Sequence, residues 1–167
     1  AVVLALARYL MHRDNFRHRH DIEAMYLEAI GAARREILVA CAYFMPGWRV
    51  RHALMEAAAR GVRIAIVVQG WSDHRVFQSA SRVLYGALLD HGIEIYEYGR
   101  SELHAKAAVV DGRWATVGSS NLDPFSLFLA REANVAVFSE SFARQVRESI
   151  DREIHHGAQA VPRLLWK

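Results

Sequence analysis

Very little in this chain could staple it or carry it across a membrane. Of 167 residues, one is cysteine and three are proline. A single thiol cannot form a disulfide within the chain, which fits a reducing compartment. That thiol, Cys41, lies in the apolar run Ile-Leu-Val-Ala-Cys-Ala, so a buried structural role is expected for it. The longest unbroken apolar run is nine residues, Ile37 to Met45. A membrane-spanning helix needs about 20, so no span is expected. Charge of one sign is also scarce: 21 Lys and Arg against 18 Asp and Glu leave a net +3. A mildly basic chain suits an anionic partner, whether phosphate, lipid headgroup or nucleic acid, without choosing among them. No Lys/Arg stripe with interleaved aromatics favours nucleic acid. No Cys/His spacing resembles a metal site, so no metal is expected. There is no repeat, low-complexity stretch or signal-peptide pattern.

What remains is an apolar chain, 53% hydrophobic, long enough for one domain with a sizeable core. Strand-like runs alternate with amphipathic stretches, which predicts an α/β layered domain. Strands are expected near Val2–Leu10, Glu36–Tyr43, Val62–Gln69, Ile93–Tyr98 and Ala133–Phe138, with a strand pair inside Leu103–Ser119. Helices fit His20–Arg34, Arg49–Arg60, Arg75–His91 and Ser141–His155. Gly61 is a plausible helix stop. Uninterrupted apolar strands predict a sheet covered on both faces.

The chemistry concentrates in His104-x-Lys106, Asp111-Gly112 and Gly118-Ser119-Ser-Asn121. His104 and Lys106, two apart on a strand, share a face. Asp111-Gly112 between apolar runs signals a two-residue hairpin. A tight turn there would place His104 opposite Ser119 and Lys106 opposite Val117, with Asn121 one step away. Such a patch suits a phosphodiester. Lys106 supplies charge, Ser119 and Asn121 supply hydrogen bonds to non-bridging oxygens, and a neutral imidazole can attack phosphorus. Asp111 sits at the far end of the hairpin and is expected to serve the turn. Glu132, 28 residues beyond His104, could orient the imidazole or could be a surface carboxylate beside Arg131. His18 and His20 fall in a charged run, and His155 and His156 close the last helix, where cations suit the helix dipole. Trp48, Trp71, Phe125 and Phe128 could touch lipid, although core packing is the default for aromatics.

His104-x-Lys106-x4-Asp111-x6-Gly118-Ser119-x-Asn121 resembles the HKD motif of the phospholipase D superfamily. Glu132 stands where that family places the carboxylate that orients the histidine. Gly118 to Ser126, Glu132-Ala-Asn-Val, Ala42 to Gly47 and Ala57 to Arg63 look like bacterial cardiolipin synthases, and the likeness runs from about Arg13 to Phe138. The resemblance implies a phospholipase-D-like α/β/α sandwich, a mixed sheet covered by helices on both faces. His104, Lys106, Ser119, Asn121 and Glu132 would be the catalytic set, with Asp111, Gly112 and Gly118 structural. It implies phosphatidyl transfer through a phosphohistidine, on an anionic phospholipid such as phosphatidylglycerol, with no cofactor.

Two departures stand out. Phe125 and Ala130 replace an Arg and an Asn common in those synthases, which leaves the acceptor alcohol open. Only one of nine histidines is followed two residues later by Lys, whereas the family builds one site from two motifs. The expectation is therefore that residues 1–167 form one domain, the second half of a two-motif enzyme. It would work with another half in its own chain or as a homodimer, peripheral on the cytoplasmic face of a bacterial inner membrane. The rival readings are a single-motif, homodimeric nuclease of the same superfamily, and a half-domain silent without its partner. The first residue, Ala1, agrees with a piece of something longer.

Overall fold

Strands β2 (Glu36–Cys41) and β3 (Arg63–Gln69) hold almost nothing but buried apolar side chains, and they form the middle of the sheet. The computed structural model describes residues 8–13, 20–71, 79 and 81–166. The remaining strands are β1 (Arg8–Arg13), β4 (Glu94–Tyr98), β5 (Lys106–Val110), β6 (Trp114–Gly118), β7 (Glu132–Phe138) and β8 (Ala158–Ala160). They make one eight-stranded mixed sheet in the order β1-β7-β6-β5-β2-β3-β4-β8. Strands β2, β3 and β4 run parallel, and the other neighbouring pairs are antiparallel.

The period of two along each strand sorts side chains into two cores. Ile37, Val39 and Cys41 of β2 face one way, toward helices α1 (Asp21–Ala32), α2 (Trp48–Ala59) and α3 (Tyr85–Asp90). Leu38 and Ala40 face the other way, onto helix α5 (Glu140–Gly157), which offers Ala143, Val146 and Ile150 at helical spacing. Both faces are thus covered, as the apolar strands predicted. Helix α5 starts where the Ser139 hydroxyl accepts from the Phe142 amide, and α2 stops at Gly61, whose φ is +87°.

Differences from expectation are local. Strand β1 runs past Leu10 to Arg13, while Val2 to Ala7 lie outside the described residues. The helix expected over Arg75–His91 lies partly outside them as well. Its described part is helical at residues 79 and 81–83, turns at Leu84, and resumes as α3. Strand β8, the short helix α4 (Pro124–Phe128) and a 3-10 turn at Arg163–Trp166 were not anticipated.

The hairpin register differs from the one expected by a single residue. Asp111 and Gly112 both take positive φ, 53° and 66°, and the Arg113 amide donates to the Val110 carbonyl, as a tight two-residue turn requires. The ladder nevertheless pairs Val110 with Trp114 and Ala107 with Val117. Pairing Val110 with Arg113 would have turned the guanidinium into the core. The observed register leaves Arg113 exposed and buries Trp114 beneath α1, edge-on to Tyr26 at 6.3 Å between ring centroids.

Candidate functional site

The site assembles at one end of the sheet, where β2, β3 and β4 terminate, β5 begins and β6 ends. Open α/β sheets present ligand-binding groups at the carboxyl ends of their parallel strands. His104 lies just before β5 on an exposed stretch, and Gln69 at the end of β3 holds that stretch. The Gln69 side chain accepts from the Leu103 amide and donates to the Ser101 carbonyl at 3.4 Å. A cleft of about 550 Å³ between β5, β6 and α5 reaches His104, Lys106 and Gly118. A larger groove of about 1200 Å³ lies at the opposite end, beside the Asp111 turn, and contains none of the residues expected to be catalytic.

The expected residues fall into two linked groups. In the first, Lys106 pairs directly with Cys41 across β2 and β5, and its ammonium donates to the His104 carbonyl at 3.2 Å. Lys106 is buried, and that burial holds its ammonium below the ordinary lysine range. The Cys41 sulfur and the carboxylates of Glu132, Asp123 and Glu102 partly oppose the effect. Asn121 joins this group through its Oδ1, which accepts from the Cys41 thiol at 3.5 Å and from the Tyr43 amide at 3.4 Å. Cys41 also donates to the Tyr43 carbonyl at 2.9 Å and accepts from the Leu122 amide at 3.2 Å. It is buried, as expected, and burial pushes its thiol up to about 12.

In the second group, Ser119 donates to the Glu132 carboxylate and accepts from the Ala133 amide at 3.1 Å. Register therefore does not set Ser119 opposite His104; continued outward, the observed pairing would set Ser120 there. Glu132 engages Ser119 and not Arg131, and no hydrogen bond to the His104 ring is found among the described residues. The His104 imidazole is left open on the surface of the site.

Asp111 is remote from these groups. Its carboxylate accepts from the backbone amides of Arg34, Arg35 and Glu36 at 2.8–3.0 Å, tying the hairpin tip to the chain between α1 and β2. Gly118 has a packing reason: a Cβ there would collide with the Asn134 amide and the Ala133 carbonyl. Asn134 is fully buried and accepts from the Ser120 amide at 3.3 Å, so it props the Gly118–Asn121 turn from beneath.

Sequence reasoning missed the parts played by Cys41, Gln69 and Asn134. A polar Gln closing an apolar strand was the available signal for Gln69. The Asp123-Pro124 pair was the signal for α4: Asp123 caps the helix by accepting from the Ser126 amide at 2.9 Å, with Pro at the first turn. Among the described residues, no group of three or more His, Cys, Asp and Glu could hold a metal ion. No described helix is long and apolar enough to cross a membrane.

A family described as cardiolipin synthase, PLD-like domain, matches residues 26–154. Cardiolipin synthase B of Escherichia coli is 45% identical over 162 residues, covering 94% of this chain and 39% of that protein. The minor cardiolipin synthase of Bacillus subtilis is 33% identical over 135 residues, covering 81% of this chain and 34% of the other. The chain thus spans about two-fifths or less of the length of these relatives. Among solved structures, the phospholipase D family member Nuc from Salmonella typhimurium superposes with a TM-score of 0.78. It is 20% identical, covers 93% of this chain and 98% of its own, and so shares the fold. By the extent of the family match, the chain belongs to the phospholipase D superfamily, within the PLD-like domain family of cardiolipin synthases.

Proposed function

We propose that this chain supplies one half of a phosphatidyltransferase site, with phosphatidylglycerol or a similar anionic phospholipid as substrate. The observation that carries it is the exposed imidazole of His104, unengaged among the described residues, with the Lys106 ammonium on its own carbonyl and with Asn121 and the Ser119–Glu132 pair at the same end of the sheet. An imidazole free of protein partners can take or give a proton, or attack phosphorus. The neighbouring ammonium, amide and hydroxyl are the donors a phosphate diester needs as charge builds on its non-bridging oxygens. Identity to proteins named cardiolipin synthase over nearly the whole chain supports a lipid substrate.

In-line displacement needs a nucleophile on one side of phosphorus and an acid on the other, and one histidine cannot occupy both places. The reaction then requires two imidazoles. The first forms an N–P bond as the P–O bond to the leaving alcohol breaks, and the second gives that alcohol its proton. An incoming alcohol loses a proton to the second imidazole and displaces the first. His104 is the acid/base partner if its chain carries another motif upstream. Either copy can play either part in a homodimer. The missing half comes from the same polypeptide or from a second copy, and the enzyme works peripherally at the cytoplasmic face of a bacterial inner membrane. Glu132 orients an imidazole through a site completed by the other half, since in this chain it engages Ser119.

The test runs gel filtration beside two assays on the full-length protein, transfer from phosphatidylglycerol to cardiolipin and nicking of supercoiled DNA. Lipid transfer without nicking is expected. A dimer that nicks DNA and ignores lipid would establish a nuclease instead. The single His-x-Lys motif in these 167 residues makes that dimer the second reading.

A further inference from the structure

His104 stands in a stretch with no regular structure. Residues 99–105 link the end of β4 to the start of β5 and lie outside any ladder. Backbone bonds fasten the two ends of this stretch. The Gly99 amide donates to the Gly157 carbonyl at 2.9 Å, and the Ala42 amide donates to the Ala105 carbonyl at 3.1 Å. Between those ends, among the described residues, two side chains bond the backbone. Gln69 engages the Ser101 carbonyl and the Leu103 amide, and Lys106 engages the His104 carbonyl. Leu103 also buries its side chain, in the core shared with α5.

These bonds fix the peptide units on both sides of His104. Leu103 is held through its amide and its side chain, and the next carbonyl is held by the Lys106 ammonium. The freedom left to the imidazole is then its own two side-chain torsions. Lys106 does not secure this by itself, because a phosphate in the site competes for its ammonium. Gln69 has no such second duty. It is buried at the end of the central strand β3, and its backbone amide donates to the Ala42 carbonyl at 3.3 Å, so the clamp is referenced to the middle of the sheet. One bond would satisfy the buried Leu103 amide. Two bonds, to positions two residues apart, also fix the course of the chain leading into His104.

We infer that Gln69 is a positioning residue for the reaction: it sets where the His104 imidazole stands relative to phosphorus, without touching the reacting atoms itself. The inference rests on the proposed function only in taking His104 as the reacting group. A misplacement of about 1 Å at a reacting atom can cost about a hundredfold in rate. Loss of the clamp therefore acts on kcat. KM is spared, because the groups offered to the phosphate, Lys106, Ser119 and Asn121, stand on β5 and on the turn after β6 and not on this stretch.

The deciding experiment measures kcat and KM of the full-length protein on phosphatidylglycerol in detergent micelles, beside melting curves. Gln69→Leu, which removes both bonds, should lower kcat by about 10–100-fold with KM nearly unchanged. Gln69→Glu keeps an acceptor for the Leu103 amide but loses the donor to the Ser101 carbonyl, and its kcat should fall between the two. Val68→Ala, one residue earlier in the same strand and buried, should lower the melting temperature while keeping kcat. That control separates positioning from loss of stability. An unchanged kcat in Gln69→Leu would overturn the inference, as would a fall no larger than that of Val68→Ala at equal loss of melting temperature. Where Gln69→Leu fails to fold, Gln69→Glu decides by the same two readings. His104→Ala separates the two claims. Turnover that survives His104→Ala sinks the proposed function and the inference with it. Turnover that needs His104 but not Gln69 sinks the inference alone. A parent that ignores lipid and nicks DNA through His104 sinks the lipid reading alone, and the kcat comparison is then made on nicking.

Discussion

Gly118 and Asn134 face each other across β6 and β7, so closely that the glycine has no room for a Cβ. The obstruction includes the Ala133 backbone carbonyl, which cannot swing aside as a long side chain can. Gly118→Ala should therefore cost about 1–3 kcal/mol of stability. Activity should fall further than stability, because the turn carrying Ser119 and Asn121 must shift. Melting curves and turnover on the same preparation check this, and a variant as stable and active as its parent would show that the turn yields freely.

Cys41 makes a prediction about pH. Its thiol is raised from an ordinary value of 9.0 to about 12, chiefly by burial, so the fold favours the neutral form. Stability from this group is fully present below the unfolded value and is lost as pH rises from about 9 toward 12. Cys41→Ser should flatten the decline of stability over that window relative to the parent. Equal slopes in chemical denaturation at several pH values would contradict the assignment.

Ser119 and Glu132 should behave as a unit. Because the hydroxyl donates directly to the carboxylate, Ser119→Ala, Glu132→Gln and the double variant should be non-additive in rate, with a coupling of about 0.5–3 kcal/mol. Strict additivity would mean that the two act in separate steps.

Asp111 should matter for folding and not for chemistry. Asn at this position tolerates positive φ but offers one carbonyl in place of a carboxylate that accepts from three amides. Asp111→Asn should cost about 1 kcal/mol and leave the rate per folded molecule unchanged. A loss of kcat with unchanged melting would contradict this structural role for Asp111.

The layered fold was legible because apolar strands such as Ile37 to Cys41 and Ile64 to Val68 must be covered on both faces, and a Gly61-type stop is written in a single residue. The motif was legible as a set of residue types. Its geometry was not, because the register turned on whether Arg113 or Trp114 pairs with Val110, a choice made by the contact of Trp114 with α1 and Tyr26 and not by the Asp111-Gly112 turn. The supports beneath the site were invisible for the same reason. Cys41, Gln69 and Asn134 acquire their roles from residues 14 to 80 positions away in the chain, through hydrogen bonds such as Cys41 to Asn121, Gln69 to Leu103 and Asn134 to Ser120. Apart from the polar Gln69 closing an apolar strand, nothing local in the sequence announces them.

The central claim is that His104 reacts at phosphorus or moves the proton of the leaving alcohol. The most direct measurement is turnover of phosphatidylglycerol by the full-length protein with His104→Ala, alongside its melting curve. A loss of roughly a thousandfold or more at unchanged melting temperature is predicted, as for removal of a nucleophile or acid. A loss below about tenfold, with the fold intact, would show that the chemistry lies elsewhere.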